Sequence, residues 1–309
     1  MTFDETRRRA QVRRLARICV ALMLATIVLS AYLRLSQAGL GCSDWPACYG
    51  QVLRAGGTLP ASAAGLGESL ARLAHRIVAT AFLGLAVALL VMSRRPPPAL
   101  RPEARLTLAL LLLTLALAAL GVVTRGSTLP AVTLGNLLGG FGLLAISVRL
   151  AAPPAVAPTV QLRRWAAVAL LAVLAQATLG ALISGSFAAL ACGDWAECSR
   201  SALAAGWDPQ ALNPWQALPP DAAAPGRPRG AWLQLLHRGG ALLLLPLLAM
   251  VALLALRQGR RATALAIGGL LTLQLMLGLW TTASGLPLAA VLLHNLIAAL
   301  LLALLARLA

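Results

Sequence analysis

The chain has 309 residues, 60% hydrophobic and 11% charged, with a mean hydropathy of +0.83. A soluble globular domain carries about 25% charged residues, so that class is excluded and a polytopic α-helical membrane protein remains. The formal charge of +17, with no lysine in the chain, does not mark a nucleic-acid binder, because the arginines sit in short clusters between apolar runs.

A span needs ~20 mostly apolar residues. Eight runs qualify, at approximately 16–34, 70–92, 106–124, 131–150, 165–185, 232–256, 262–281 and 286–307. The basic stretch up to Arg17 followed by an apolar run imitates a signal peptide. That run is longer than a signal core and shows no obvious small-residue cleavage site, so it reads as an uncleaved first span.

Arg7, Arg8, Arg9, Arg13, Arg14 and Arg17 precede span one. Arg94, Arg95, Arg101 and Arg105 flank the link between spans two and three, Arg149, Arg163 and Arg164 that between four and five. Arg257, Arg260 and Arg261 join spans six and seven. With eight spans all of these fall on one side, which the positive-inside rule makes cytoplasmic, along with both termini. The long loops near 35–69 and 186–231 then lie outside. The alanine, leucine and arginine bias is that of a GC-rich bacterial genome, which places the chain in a bacterial inner membrane. The linker 199–230, rich in Pro, Ala and Gly and carrying Trp207 and Trp215, reads as an irregular loop or a short interfacial helix.

The sequence repeats. Cys42-Ser-Asp-Trp-Pro-Ala-Cys48 matches Cys192-Gly-Asp-Trp-Ala-Glu-Cys198. Leu73-Ala-His75-Arg76 matches the flanks of His237-Arg238, and Leu134-Gly-Asn-Leu137 matches Leu293-His-Asn-Leu296. The order is the same each time, which predicts two tandem four-helix bundles, 1–155 and 156–309, as a parallel internal repeat.

The three histidines, His75, His237 and His294, all lie in apolar runs. An ionisable residue inside a span is costly and points to function. His237 and His294 fall at similar depth, as two ligands on opposite faces of a heme require. The plainer reading is a pair of polar side chains bonded between helices. Arg238 and Arg76 each follow a histidine; pairing with heme propionates and snorkelling to the headgroups both suit them. The counterpart of His294 is Gly135 by the repeat match and Asn136 by counting from Pro130. The cysteine pairs lie on the oxidising side, where disulfides persist; a redox dithiol is the alternative, and zinc lacks a nearby histidine. Cys19, inside span one, reads as an inert buried thiol. Glu68 precedes His75 by two helical turns if the helix reaches it, and otherwise is a loop carboxylate without a role.

Taken together, Arg34 to Gly50, the His75-Arg76 pair, Val122 to Asn136, Cys192 to Cys198, His237-Arg238 and His294 resemble the heme A synthase family. Those eight-span membrane enzymes oxidise a methyl group of heme O to the formyl group of heme A for cytochrome oxidase. The resemblance implies heme b between His237 and His294, and heme O in the first half at His75. It also implies heme O synthase and oxidase assembly proteins as partners; association of copies is left open. Two positions differ from the family pattern: Arg72 stands where the family has a glutamate, and Gly135 or Asn136 where it has a second histidine. Glu68 is the acid nearest His75. The alternative function is a non-catalytic b-type heme protein, an electron carrier or assembly factor; a transporter has only the repeat in its favour.

Overall fold

The structure is a computed structural model describing residues 3–56, 65–95, 100–152 and 157–309. The helices, in chain order, are α1 (Phe3–Gln37), α2 (Gln51–Arg54), α3 (Leu66–Arg94), α4 (Arg101–Val123), α5 (Pro130–Ala151), α6 (Val160–Gly185), α7 (Trp195–Ala205), α8 (Pro228–Arg257), α9 (Arg261–Ala283) and α10 (Leu288–Leu308). All except α2 and α7 are long and apolar enough to cross a membrane, eight in number. In lipid each backbone N–H and C=O must be paired within its own segment, so the helix is the form open to these runs. The expected boundary between 155 and 156 lies outside the described residues.

Local chemistry sets the helix ends. Pro102, Pro130 and Pro228 occupy first turns, where the missing N–H would have had no helical partner. The Thr159 hydroxyl caps α6 by accepting from the Leu162 N–H. In the linker expected to be irregular or interfacial, α7 begins inside the second cysteine loop. Asp194 accepts from the Glu197 N–H at 2.7 Å, and Glu197 in turn accepts from the Gly193 N–H at 2.7 Å. This reciprocal pair is a capping arrangement. The first loop has no such cap and folds as consecutive turns. Gly39 makes the first of them: its φ is +102°, and a Cβ there would stand 2.6 Å from the Cys48 carbonyl.

Helix α1 packs on α3 and α5, and α4 bridges those two. Helix α6 packs on α8 and α10, and α9 bridges those two. The sets meet through α5 against α6 and α10, and through α1 against α10. At the cysteine-bearing end the long loops interlock. The Ala189 N–H donates to the Tyr49 hydroxyl at 3.3 Å, and the Ala131 N–H to the Pro214 carbonyl at 2.8 Å. Leu35, Tyr49, Leu53, Phe187 and Ala223 share one apolar cluster there.

The main core occupies the opposite, arginine-rich end. It draws on 12–27 of α1, 82–89 of α3, 141–150 of α5, 162–173 of α6, 248–255 of α8 and 299–308 of α10. Helix α1 buries a residue every turn along its length, at Val12, Ala16, Cys19, Met23, Ile27, Ala31 and Leu35. Four other helices do not. Of the described residues, none in 72–81 of α3, 131–139 of α5, 235–247 of α8 or 291–296 of α10 is buried. These stretches contain all three histidines.

Candidate functional site

His237 on α8 and His294 on α10 approach from helices that pack mainly on α6 and α9. Their ring centroids are 6.5 Å apart with planes at 65°. Each ring meets a glutamine from a neighbouring helix. Gln176 Nε2 of α6 lies 3.1 Å from His237 Nδ1 and donates to the His237 carbonyl at 2.6 Å. Gln274 Nε2 of α9 lies 3.0 Å from His294 Nε2. His294 Nδ1 and Gln274 Oε1 are buried without a hydrogen-bond partner. One turn after each glutamine comes a glycine. A Cβ on Gly180 would sit 3.1 Å from His237 Cε1, and one on Gly278 would sit 3.4 Å from His294 Cε1.

A metal bound at ~2 Å by each of two imidazoles sets their ring centres roughly 6 Å apart. The observed separation therefore suits two ligands to one metal. It is too long for a hydrogen bond between the rings themselves; each ring instead contacts a glutamine on another helix, as the plainer reading of polar side chains bonded between helices expects.

Arg238 extends to the second cysteine loop, where it donates to the Gly193 carbonyl at 3.1 Å. Its Nε is buried without a partner. The loop itself is closed: Cys192 pairs with Cys198, as Cys42 does with Cys48 in the other loop. Cys19 is the free, buried thiol.

His75 is not brought to the other two histidines. It is half-buried on α3, and among the described residues it makes no hydrogen bond. Arg76 is exposed and lines an open groove of about 470 Å³ with Ile77, Thr80 and Ala81. Glu68 lies within the first turn of α3 rather than in a loop. Its carboxylate is held by Arg72 and lies 3.4 Å from the Gln37 amide. Glu68, Arg72 and His75 follow one another on a single helical face. Gly135 faces α4, where a Cβ would meet Leu120 at 3.1 Å.

The two glutamines escaped the sequence reading. Their signal is present in it: Gln176-Ala-Thr-Leu-Gly180 and Gln274-Leu-Met-Leu-Gly278 put an amide and a glycine one turn apart in two separate spans.

Residues 13–306 match the family COX15-CtaA, described as cytochrome oxidase assembly protein. The chain belongs to this family. It is also 31% identical over 319 residues, 94% of each chain, to the heme A synthase of Shewanella oneidensis. The cytochrome oxidase assembly family match takes in all eight spans, both cysteine loops and all three histidines.

Proposed function

We propose that this chain is a heme A synthase-type oxidoreductase that converts heme O to heme A, with heme b as its resident cofactor. The observation that carries the reading is the distribution of packing. Protein interiors are close-packed, yet the stretches bearing His75, Gly135, Asn136, His237 and His294 bury no side chain. A stretch left only partly buried in each set of four helices, bearing imidazoles, suits two flat apolar macrocycles. The order of helix contacts, the same in both sets, supports reading 1–155 and 156–309 as copies of one unit.

In this reading His237 and His294 would hold the heme b iron, and Arg238, whose Nε is unpartnered, would pair with a propionate. Bound there, heme b supplies a one-electron redox centre. His75 would hold the substrate iron from one face, leaving the other to Asn136, water or nothing, and Arg76 would pair with a propionate at the cysteine-bearing end. Glu68 is the acid available for proton removal. Bacterial inner-membrane placement with cytoplasmic termini follows from the arginine clusters. Reporters fused after Gly57, which lies outside the described residues, and after Ala223 should both read the outer side; a cytoplasmic signal at either would break that topology.

The test of function is heme A formation in cells that make heme O but lack their own synthase, with extracted pigments identified by chromatography. Heme A from this chain supports the proposal. Heme b without heme A supports a second reading, a non-catalytic b-type heme protein in oxidase assembly. One observation favours that alternative: the carboxylate nearest His75 is already held by Arg72.

A further inference from the structure

We propose that a cavity at the arginine-rich end, between α1, α4 and α5, binds a phosphate group with a hydroxyl beside it, as the headgroup of an anionic phosphoglycerol lipid presents. The cavity measures about 150 Å³. Pockets for drug-sized ligands run from ~300 to ~1,000 Å³, so this one admits a single headgroup rather than a macrocycle. Arg9 and Arg13 line it from α1, Glu103 from α4 and Arg149 from the end of α5. Among the described lining residues, three guanidiniums thus meet one carboxylate.

The charges are unevenly engaged. Arg9 Nη2 pairs with Glu5 at 3.0 Å, and its Nη1 with Glu103 Oε1 at 3.1 Å. Arg13 and Arg149 form no hydrogen bond or ion pair among the described residues. Arg13 is half-buried and Arg149 is exposed. Two atoms of the lining residues, Arg9 Nε and Glu103 Oε2, are buried without a partner. Unpaired buried polar atoms are costly, and these are one donor and one acceptor. A ligand that completes the site must bring negative oxygens for the guanidiniums and a donor for Glu103 Oε2. Phosphate oxygens meet guanidinium forks bidentately, and a hydroxyl on the same headgroup supplies the donor. A bare carboxylate supplies only the first.

The depth agrees. Val12 and Leu150 line the cavity and belong to the main core, so the cavity lies where the apolar spans give way to arginine clusters. Headgroups occupy that layer of a bilayer. On the proposed topology this is the cytoplasmic face, where basic pockets between spanning helices take anionic headgroups. The Arg9–Glu103 pair already ties the end of α1 to that of α4. A phosphate held by Arg13 and Arg149 ties α1 to α5 at the same level, so binding stabilises the fold.

The experiment follows thermal unfolding of the purified full chain in detergent micelles by tryptophan fluorescence. Dioleoylphosphatidylglycerol, dioleoylphosphatidylcholine and inorganic phosphate are titrated separately. A ligand that binds only the folded chain raises the midpoint. Phosphatidylglycerol is expected to raise it saturably. Phosphatidylcholine, with no net charge and no free hydroxyl, is not, and equal shifts from the two lipids overturn the proposal. A saturable shift from inorganic phosphate with none from phosphatidylglycerol keeps the site and makes free phosphate its occupant; no shift from either overturns it. Arg13→Gln with Arg149→Gln should weaken binding about tenfold or more. The control pair, Arg163→Gln with Arg164→Gln, removes the same charge from the exposed start of α6 and should leave binding unchanged. Equal weakening by both pairs means general charge attraction and overturns the site. If the first double variant does not fold, Arg149→Gln alone, at an exposed residue, should still weaken binding about threefold; unchanged affinity there overturns the proposal.

Discussion

The surroundings of His237 and His294 differ from those of His75 in one respect above all: the neighbours on the adjoining helices. Each of the first two has a glutamine and a glycine waiting one turn apart. Around His75 the corresponding positions are occupied differently. Thr26 lies as far before Cys42 as Gln176 does before Cys192, and its hydroxyl donates within α1 to the Leu22 carbonyl at 2.8 Å. Leu117 lies as far before Gly121 as Gln274 before Gly278, and it packs over Gly139. A ring clamped from two directions keeps a resident group in one geometry. A ring with no clamp suits a ligand that must arrive and leave. On the proposed reading, the contrast is between a cofactor site and a substrate site that differ in the side chains around the histidine rather than in the histidine itself.

The largest effect that would sharpen this contrast is loss of the resident heme. His237→Ala or His294→Ala should abolish a low-spin bis-histidine spectrum in purified protein, whereas His75→Ala should leave most of it. A low-spin signal that vanishes with His75→Ala alone would invert the assignment of the two sites. Next comes turnover. His75→Ala should remove heme A formation, and Glu68→Gln should reduce it about tenfold, about 1.4 kcal/mol of transition-state stabilisation; robust heme A from His75→Ala would take that residue out of the mechanism.

A smaller effect is expected from the glycines. Overpacking costs ~1–3 kcal/mol, so Gly180→Ala, with its methyl 3.1 Å from His237, should weaken heme retention about tenfold. Gly278→Ala, at 3.4 Å, should change it far less, and equal losses would contradict that grading by distance. The smallest effect separates the cysteine loops. Closing a short loop stabilises by ~2–3 kcal/mol, but Asp194 and Glu197 cap the second loop independently. Limited proteolysis should therefore cut a Cys42→Ser, Cys48→Ser double variant sooner than the Cys192→Ser, Cys198→Ser counterpart.

Much of this was legible in the sequence. Hydropathy alone located all eight spans, because a bilayer leaves the backbone so few choices. The cysteine pairs declared themselves by spacing, and the histidines by their cost in an apolar run. Three features were not legible. The start of α3 at Leu66 joins Glu68 to the His75 helix and pairs it with Arg72; hydropathy cannot see it because that first turn is polar. Helix α7 was legible as one of two alternatives for the linker, but its start at Trp195 was not, because it depends on the Asp194–Glu197 cap, which the surrounding Pro, Ala and Gly composition masks. Gln176 and Gln274 matter only through the helices facing them, and their spacing acquires meaning once those helices are placed.

The concentration of the main buried core at one end of the molecule, with smaller clusters at the other, gives the bundle two mechanical regimes. Local opening is cheap where buried contacts are few and dear where they are dense. The arginine-rich end thus behaves as a fixed root, and the helices above it as tines joined at their tips by the interlocked loops. Such a fork can flex sideways at mid-height, between root and tips, without unfolding. On the proposed reading, a rigid plate entering from the bilayer would part neighbouring tines by their own bending, with the root and the loop lock left intact.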